Sequence, residues 1–212
     1  MKIRKFVLGV YEENAYLISD DESHESIVID PGENPLQIIE VIESENLSVK
    51  YILNTHAHID HVLGVNAVKE ATNAPFYLNE NDIPLLNALP KQAEMIGLSG
   101  KYEVPEIDGN LTEGDQFNIG SSRIDVLFTP GHSPGHVTFC MDDMIFSGDV
   151  LFAGSVGRID LPGGSWEVLK KSIHDKLIPL DRDTIVYSGH GPETTIGREI
   201  DTNPFLKPGI EL

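Results

Sequence analysis

The sequence predicts an α+β domain with sheets inside and helices outside, and three observations carry that expectation. Short apolar runs suited to strands outnumber the runs with helical spacing. Several of these strands follow one another directly, and helical segments punctuate both halves of the chain. No linker-like stretch divides the 212 residues, so residues 1–212 are expected to form one domain.

The elements follow in order. The chain opens with three strand candidates, IRKFVLGV, NAYLISD and SIVIDPG. In PLQIIEVIESENL the apolar Leu36, Ile39 and Ile42 recur at helical spacing, and Asn34-Pro35 supplies a start signal. KYILNTHAHIDH reads as a strand running into a polar cluster, VLGVNAVKEATN as a helix and APFYLNE as a strand. From about 79 to 115 the chain is polar and broken by Pro and Gly. Its LLNALPKQAEMIGL portion is expected to be helical with a break at Pro90, and the stretch is either a lid or a surface excursion. SSRIDVLFTPGH, HVTFCMDD and DMIFSGD are strands, SWEVLKKSIHDKL is an amphipathic helix, and DTIVYSGH is the last strand.

Composition excludes several functions. With 34 acidic and 15 basic residues the formal charge is −19, which repels phosphate backbones, and no basic patch offsets it; nucleic acid is not expected as a partner. No apolar run approaches the roughly 20 residues needed to span a bilayer, so no membrane partner is expected either. The N-terminal FVLGV is too short for a signal peptide and is followed by Glu12 and Glu13, which points to the cytoplasm. A single cysteine, Cys140 in HVTFCMDD, permits no intrachain disulfide and reads as an inert thiol among apolar neighbours.

The chemistry concentrates in NTHAHIDHVLG. Three of the chain's eight histidines and an aspartate, His56, His58, Asp60 and His61, fall within six positions. Buried neutral imidazoles each need hydrogen-bond partners, so a packed core gives no reason for such crowding; a central cation does. The same logic recurs along the chain. YIL ends in NTHAHIDH, DVLF in TPGH, MIF in SGD and TIVY in SGH, so four strand candidates each deliver metal-capable side chains where the apolar run stops. Together they supply His56, His58, Asp60, His61, His132, Asp149 and His190. Seven ligands exceed what one tetrahedral ion with an open position takes from a protein. Two ions with three terminal ligands each and one shared carboxylate use all seven, and Asp149 suits the shared place because a carboxylate has two oxygens. The donors are nitrogen and oxygen without thiolate. Two divalent ions, zinc by expectation, with iron and manganese also compatible, are the implied cofactors.

This motif set resembles the metallo-β-lactamase fold superfamily and, within it, the glyoxalase II-like thioester hydrolases, over about residues 10–206. His56, His58, Asp60 and His61 carry the His-X-His-X-Asp-His motif, with His132 in TPGHSPGH, Asp149 in SGD and His190 in YSGH. The resemblance implies a four-layer αββα sandwich with a dinuclear site at the open edge of its sheets. It also implies that His56, His58 and His132 hold one ion, that Asp60, His61 and His190 hold the other, and that Asp149 bridges them. The chain ends 22 residues after His190, without the helical domain of full glyoxalase II, and LFAGSVGRIDLPGG carries Ser155 and Asp160 where that family has a cysteine and an aromatic. Glutathione thioesters are therefore expected to be poor substrates. The short single-domain bacterial hydrolases of the group match GRIDLPGG and GHGPETTIGREIDTNPF best.

The expected reaction is attack on a small-molecule thioester or ester by hydroxide formed from a metal-bound water whose pKa falls from about 16 towards 7. The ions also stabilise the oxyanion, and Asp60 both binds metal and orients the nucleophile. Arg158 is the candidate for gripping a substrate carboxylate, against a structural ion pair with Asp160. His136 reads as a supporting residue, Asp30 as either a support of the ligands or a turn cap, and His24 and His174 as solvated. The rival readings are a mononuclear-iron persulfide dioxygenase using His56, His132 and Asp149, a phosphodiesterase or lactonase, and a non-catalytic metal-binding module. A β-lactamase is disfavoured by the missing secretion signal.

Overall fold

A computed structural model describes residues 1–98 and 102–207. The first six strands lie side by side in chain order as one sheet: β1 (Lys2–Leu8), β2 (Glu13–Ser19), β3 (Glu25–Ile29), β4 (Ser48–Leu53), β5 (Phe76–Leu78) and β6 (Gly109–Asn110). Next come β7 (Gln116–Ile119), β8 (Ser122–Phe128), β9 (Val137–Met141) and β10 (Met144–Gly148), a small hairpin of β11 (Leu151–Phe152) and β12 (Ser155–Val156), then β13 (Ile185–Ser188) and β14 (Thr194–Thr195). The second sheet has the order β14-β13-β10-β9-β8-β7.

Period-two alternation decides how the sheets stack, because successive side chains of a strand leave on opposite faces. On β2, Tyr16 and Ile18 enter the core shared by the two sheets, while Ala15 and Leu17 face the other way; β3 repeats this with Ile27 and Ile29 against Val28. From the second sheet, Phe146 on β10 meets the same shared core, and Ile145 points outward. Both sheets thus need a cover on their outer faces. Helices α1 (Leu36–Ser44), α2 (Ile59–Val62), α3 (Val65–Thr72), α4 (Ile83–Asn87) and α5 (Leu89–Met95) supply the first cover with Ile38, Ile42, Val62, Val65, Val68, Leu86 and Leu89. Helices α6 (Trp166–Ser172) and α7 (Ile196–Thr202) supply the second with Trp166, Leu169 and Ile196. The result is the αββα sandwich.

Local details depart from expectation for identifiable reasons. Pro90 does not interrupt a helix; it occupies the first turn of α5, where a missing N–H costs nothing, and the preceding break falls at Ala88. The SWEVLKKSIHDKL helix continues past Ser172 as a π turn over Ile173–Leu177, which still buries Leu169, Ile173 and Leu177 on one face. Helix α7 has no clear apolar period in its seven residues; the Thr195 side chain caps it by accepting from the Arg198 N–H.

Strand direction places the site. β3 pairs parallel with β4, and β10 parallel with β13; β8 runs with β10 because both pair antiparallel with β9. The C-terminal ends of β3 and β4 therefore open at one edge of the first sheet, and those of β8, β10 and β13 at one edge of the second.

Candidate metal centre

The seven residues singled out in the sequence converge at these strand ends. His56, His58 and His132 offer ligand atoms that all lie within 4.8 Å of one another, and so do Asp60, His61 and His190. Asp149 stands between the two groups. Its Oδ2 is 3.5 Å from His132 Nε2 and 3.7 Å from His190 Nε2, and its Oδ1 is 3.5 Å from His61 Nε2. Asp60 Oδ2 is 3.2 Å from His190 Nε2.

Each imidazole has two nitrogens, and the partner of one fixes what the other can do. The Thr55 hydroxyl donates to Asp30 Oδ2 at 2.6 Å, which leaves its oxygen to accept from His56 Nδ1–H at 2.9 Å. His61 Nδ1–H donates to Asp30 Oδ2 at 3.1 Å. His132 Nδ1–H donates to the Arg158 carbonyl at 2.8 Å, and His190 Nδ1–H to the Tyr11 carbonyl at 3.1 Å. In all four rings Nδ1–H is held by an outer partner, so Nε2 is the nitrogen turned inward, available as a ligand atom wherever it carries no proton. His58 differs by turning Nδ1 inward, 2.8 Å from His132 Nε2. Among the described residues, His56 Nε2, His61 Nε2 and Asp149 Oδ1 are buried without a hydrogen-bond partner. Several orphaned lone pairs converging on one place is a costly arrangement for a core, and a cation satisfies them together. The donor set fits divalent ions.

Electrostatically the centre has two characters. Burial depresses His56 well below the usual histidine range, and the neighbouring His61, His58 and His132 push the same way. Burial and His132 bring His58 down to about 3. Around Asp60 the balance reverses. Burial alone would depress His61, yet the carboxylates of Asp60, Asp149 and Asp30 raise it well above its ordinary value. His190 is likewise raised, against its burial, by Asp60 and Asp149. Asp60 is held well below the carboxylate range by His61 and His190 despite the opposing effect of burial.

The surrounding residues resolve open roles. Asp30 takes a left-handed backbone, φ 48°, and spends its carboxylate on Thr55 N–H at 2.7 Å, the Thr55 hydroxyl and His61; it supports the ligands rather than capping its own turn. His136 is fully buried: its Nε2 accepts the Asp149 N–H at 3.1 Å, and its Nδ1 lies 3.3 Å from the Thr129 hydroxyl. It fixes the backbone that carries Asp149. Gly148, at φ 46°, lies so close beneath that a Cβ would collide with Thr55 Oγ1 and His136 Nε2. His24 and His174 are exposed, and Cys140 is half-buried. Arg158 donates through Nε and Nη2 to the two oxygens of Asp160, at 2.7 Å each.

Three features gave no sequence signal. Asp82, fully buried at the start of α4, accepts from Ala57 N–H at 2.9 Å, the Ser133 hydroxyl at 2.7 Å and Gly135 N–H at 2.6 Å, thereby tying the His56–His58 loop to the loop of His132. Glu13, also fully buried, has no hydrogen-bond partner for its carboxylate among the described residues; burial raises its pKa well above normal, and its Oε1 sits 3.7 Å from His61 Nδ1. A cavity of about 630 Å³ opens over the centre, floored by His58, Asp60, His132, Asp149 and His190. Gln92, Met95 and Ile96 line it, so the stretch from 79 to 115 contributes a wall of the site; residues 99–101 of that stretch lie outside the described residues.

Comparison with known proteins agrees with this geometry. The family model described as the metallo-beta-lactamase superfamily matches residues 8–190. The probable metallo-hydrolase YqgX of Bacillus subtilis is 43% identical over 214 residues, covering 97% of this chain and 98% of that protein. The hydroxyacylglutathione hydrolase GloC of Haemophilus influenzae is 39% identical over 215 residues, covering 97% and 98%. Among solved structures, the BLEG-1 B3 metallo-beta-lactamase superposes with a TM-score of 0.89 at 39% identity, covering 97% of this chain and 99% of its own. TTHA1623 in a di-iron-bound form gives 0.85 at 41% identity, covering 96% and 100%.

Proposed function

The chain belongs to the metallo-beta-lactamase superfamily, and within it we propose that it is a dinuclear, metal-dependent thioester hydrolase. One observation carries the reading: two three-residue donor groups, His56/His58/His132 and Asp60/His61/His190, face each other across Asp149. Each group would hold one divalent ion, with Asp149 shared between them and zinc the proposed metal; the di-iron form of TTHA1623 supports a two-ion occupancy of the same fold. Bound there, the ions supply a water of lowered pKa and positive charge for the carbonyl oxygen.

The chain's own groups do the rest. Asp60, ionised at neutral pH, accepts a hydrogen bond from the attacking water and aims its lone pair at the carbonyl. The Nδ1–H bonds to Asp30, Thr55, Arg158 and Tyr11 keep the four rings from rotating during turnover. A thiolate departs without a strong general acid because thiol pKa values lie near 8.5, and the cavity supplies no lysine that could act as one among its lining residues. The name of the GloC relative supports a thioester as the class of bond. That relative is covered over 98% of its length, so the shortness of this chain is no argument against a glutathione carrier; any such argument rests on the cavity alone.

A second reading, hydrolysis of a β-lactam amide, is favoured by the likeness to the BLEG-1 structure. An amide nitrogen leaves only when protonated, a demand the thioester does not make. The deciding experiment is metal counting and turnover on the same protein. The wild-type chain should hold about two metal ions and cleave thioesters in preference to β-lactams. His190→Ala should fall towards one ion and lose thioesterase activity while staying folded. One iron per chain in both proteins, with oxygen consumed on a persulfide, would replace the hydrolase with a dioxygenase.

A further inference from the structure

The cavity over the centre has walls of a definite chemistry. Ile59, Met95, Ile96, Phe152, Val156 and Leu161 are apolar, and they come from three separate parts of the chain: the metal-binding loop, the end of α5 and the β11–β12 hairpin with the segment after it. Met95 is 76% exposed and Ile96 43%, in a chain whose formal charge is −19. Across the mouth, Tyr11 is 45% exposed beside Val10 at 74%. Large apolar side chains left in water around a concave site are a standing cost unless something apolar covers them.

Charge argues in the same direction. Among the described lining residues the one Lys or Arg is Arg158, and two of its five N–H donors, on Nε and Nη2, are engaged by Asp160. This exposed pair is weak and could part. A carboxylate arriving in place of Asp160 would still have Asp160 as a neighbour. Among the described residues of the wall, no side-chain cation free of a carboxylate partner awaits an anionic acyl group.

On the thioesterase reading, we infer that the substrate's acyl half is an uncharged aliphatic chain, seated on the wall formed by Ile59, Met95, Ile96, Phe152, Val156 and Leu161. The thiol half, polar in any small soluble carrier, extends from the mouth into water. A volume of about 630 Å³ lies within the range that holds a ligand of this size. A two- or three-carbon acyl group such as lactoyl would leave most of the wall wet.

The test uses the full-length, metal-loaded protein and S-acyl thioesters of N-acetylcysteamine from acetyl to octanoyl. The carrier stays constant, so only the wall is varied. kcat/KM should rise about threefold to fourfold for each added methylene until the wall is covered, as expected for burial of a CH₂ group. The succinyl thioester should be poorer than the butanoyl. In parallel, the matching S-alkyl thioethers, which cannot be hydrolysed, should bind with the same dependence on length in calorimetry. Met95→Asp and Ile96→Asp replace exposed side chains and should flatten both slopes without changing metal content. Flat slopes in both series, or a succinyl thioester better than the butanoyl, would overturn the inference while leaving the hydrolase standing. A thioether slope without turnover at any length would sink the hydrolase reading and leave the apolar site intact.

Discussion

Removing the Asp82 carboxylate should loosen at once two loops that carry proposed metal ligands. Asp82 is fully buried and touches no proposed ligand itself, yet it accepts three hydrogen bonds from the segments that carry them. In Asp82→Ala the backbone N–H groups of Ala57 and Gly135 lose their acceptor in a closed interior, whereas the Ser133 hydroxyl can rotate to a new one. A buried donor left unsatisfied costs about 1–3 kcal/mol, so two give about 2–6 kcal/mol. Relief from burying a carboxyl, whose pKa burial raises, offsets part of this. A net loss of about 3 kcal/mol is expected, a large share of the 5–15 kcal/mol that holds a typical domain folded. Asp82→Asn is the gentler variant. It keeps an acceptor for Gly135 but turns an NH₂ group towards Ala57 N–H, so about 1–3 kcal/mol should go. Urea midpoints give the stability change, and chelator competition gives the metal affinity, which should fall by about 10- to 100-fold as it does when supporting partners of ligands are removed. If Asp82→Asn unfolds within about 0.5 kcal/mol of the parent and binds metal equally well, the tie between the loops has no energetic content.

Three further outcomes follow from the same geometry. Lactoyl-glutathione should be hydrolysed with a kcat/KM below about 10⁶ M⁻¹s⁻¹, in the middle of the ordinary enzyme range or lower, since its acyl group is too small and polar for the wall; a higher value in a steady-state assay refutes this. Arg158→Ala should leave metal content unchanged and shift the urea midpoint by less than about 0.5 kcal/mol, because its partner is Asp160 and the pair is exposed; a KM rise confined to carboxylate-bearing thioesters would instead give the guanidinium a gripping role. Metal-stripped protein should be most stable to urea near pH 6.5. Below that value an unfolded chain protonates histidines that burial keeps neutral in His56, His58 and His136, so their contribution is lost as pH falls from about 6.5 towards the His58 value of about 3. Above it, the raised His61 and His190 give a contribution that is fully present below 6.5 and disappears as pH climbs through their folded values. Stability that grows steadily down to pH 5 would contradict the first half of this argument.

The proposed ligands were legible because each follows closely on an apolar strand: His56 after Tyr51–Leu53, His132 after Val126–Phe128, Asp149 after Ile145–Phe146 and His190 after Ile185–Tyr187. A strand that stops at a sheet edge puts the next side chains into the same space as its neighbours' loops, so position in the sequence translates into position in the site. The supports have no such signature. Asp82 is one of two carboxylates in the polar run Asn79-Glu80-Asn81-Asp82, with nothing local to single it out, and its partners Ala57, Ser133 and Gly135 lie 25, 51 and 53 residues away. Glu13 follows another glutamate, Glu12, in a run that reads as an ordinary solvated turn. Asp30 was visible as a residue before Pro31-Gly32, but only the fold shows its carboxylate reaching Thr55 and His61 together. The cavity wall was hidden for a related reason: Met95, Phe152 and Leu161 belong to segments whose meeting depends on tertiary packing, and none carries a local pattern.

The two halves of the centre arise from who stands beside each ring. His56 has imidazoles for neighbours, with ring centroids 4.8 Å from His58, 4.8 Å from His132 and 4.9 Å from His136. A second positive charge among them would be repelled as well as desolvated, so these nitrogens are already bare at neutral pH. His61 and His190 stand among Asp30, Asp60 and Asp149, which favour a proton on the ring. Burial, with the neighbouring Asp30, Asp60 and Asp149, pushes the Glu13 carboxyl up and so weakens its share in that field. A cation entering the half of His56, His58 and His132 therefore meets lone pairs that are free, whereas one entering the half of Asp60, His61 and His190 must displace protons from its imidazoles. On the two-ion reading the same carboxylates would hold the cation, so acidification is expected to act on the two halves unequally, with the half around His190 losing its ion first when metal is counted across a pH series.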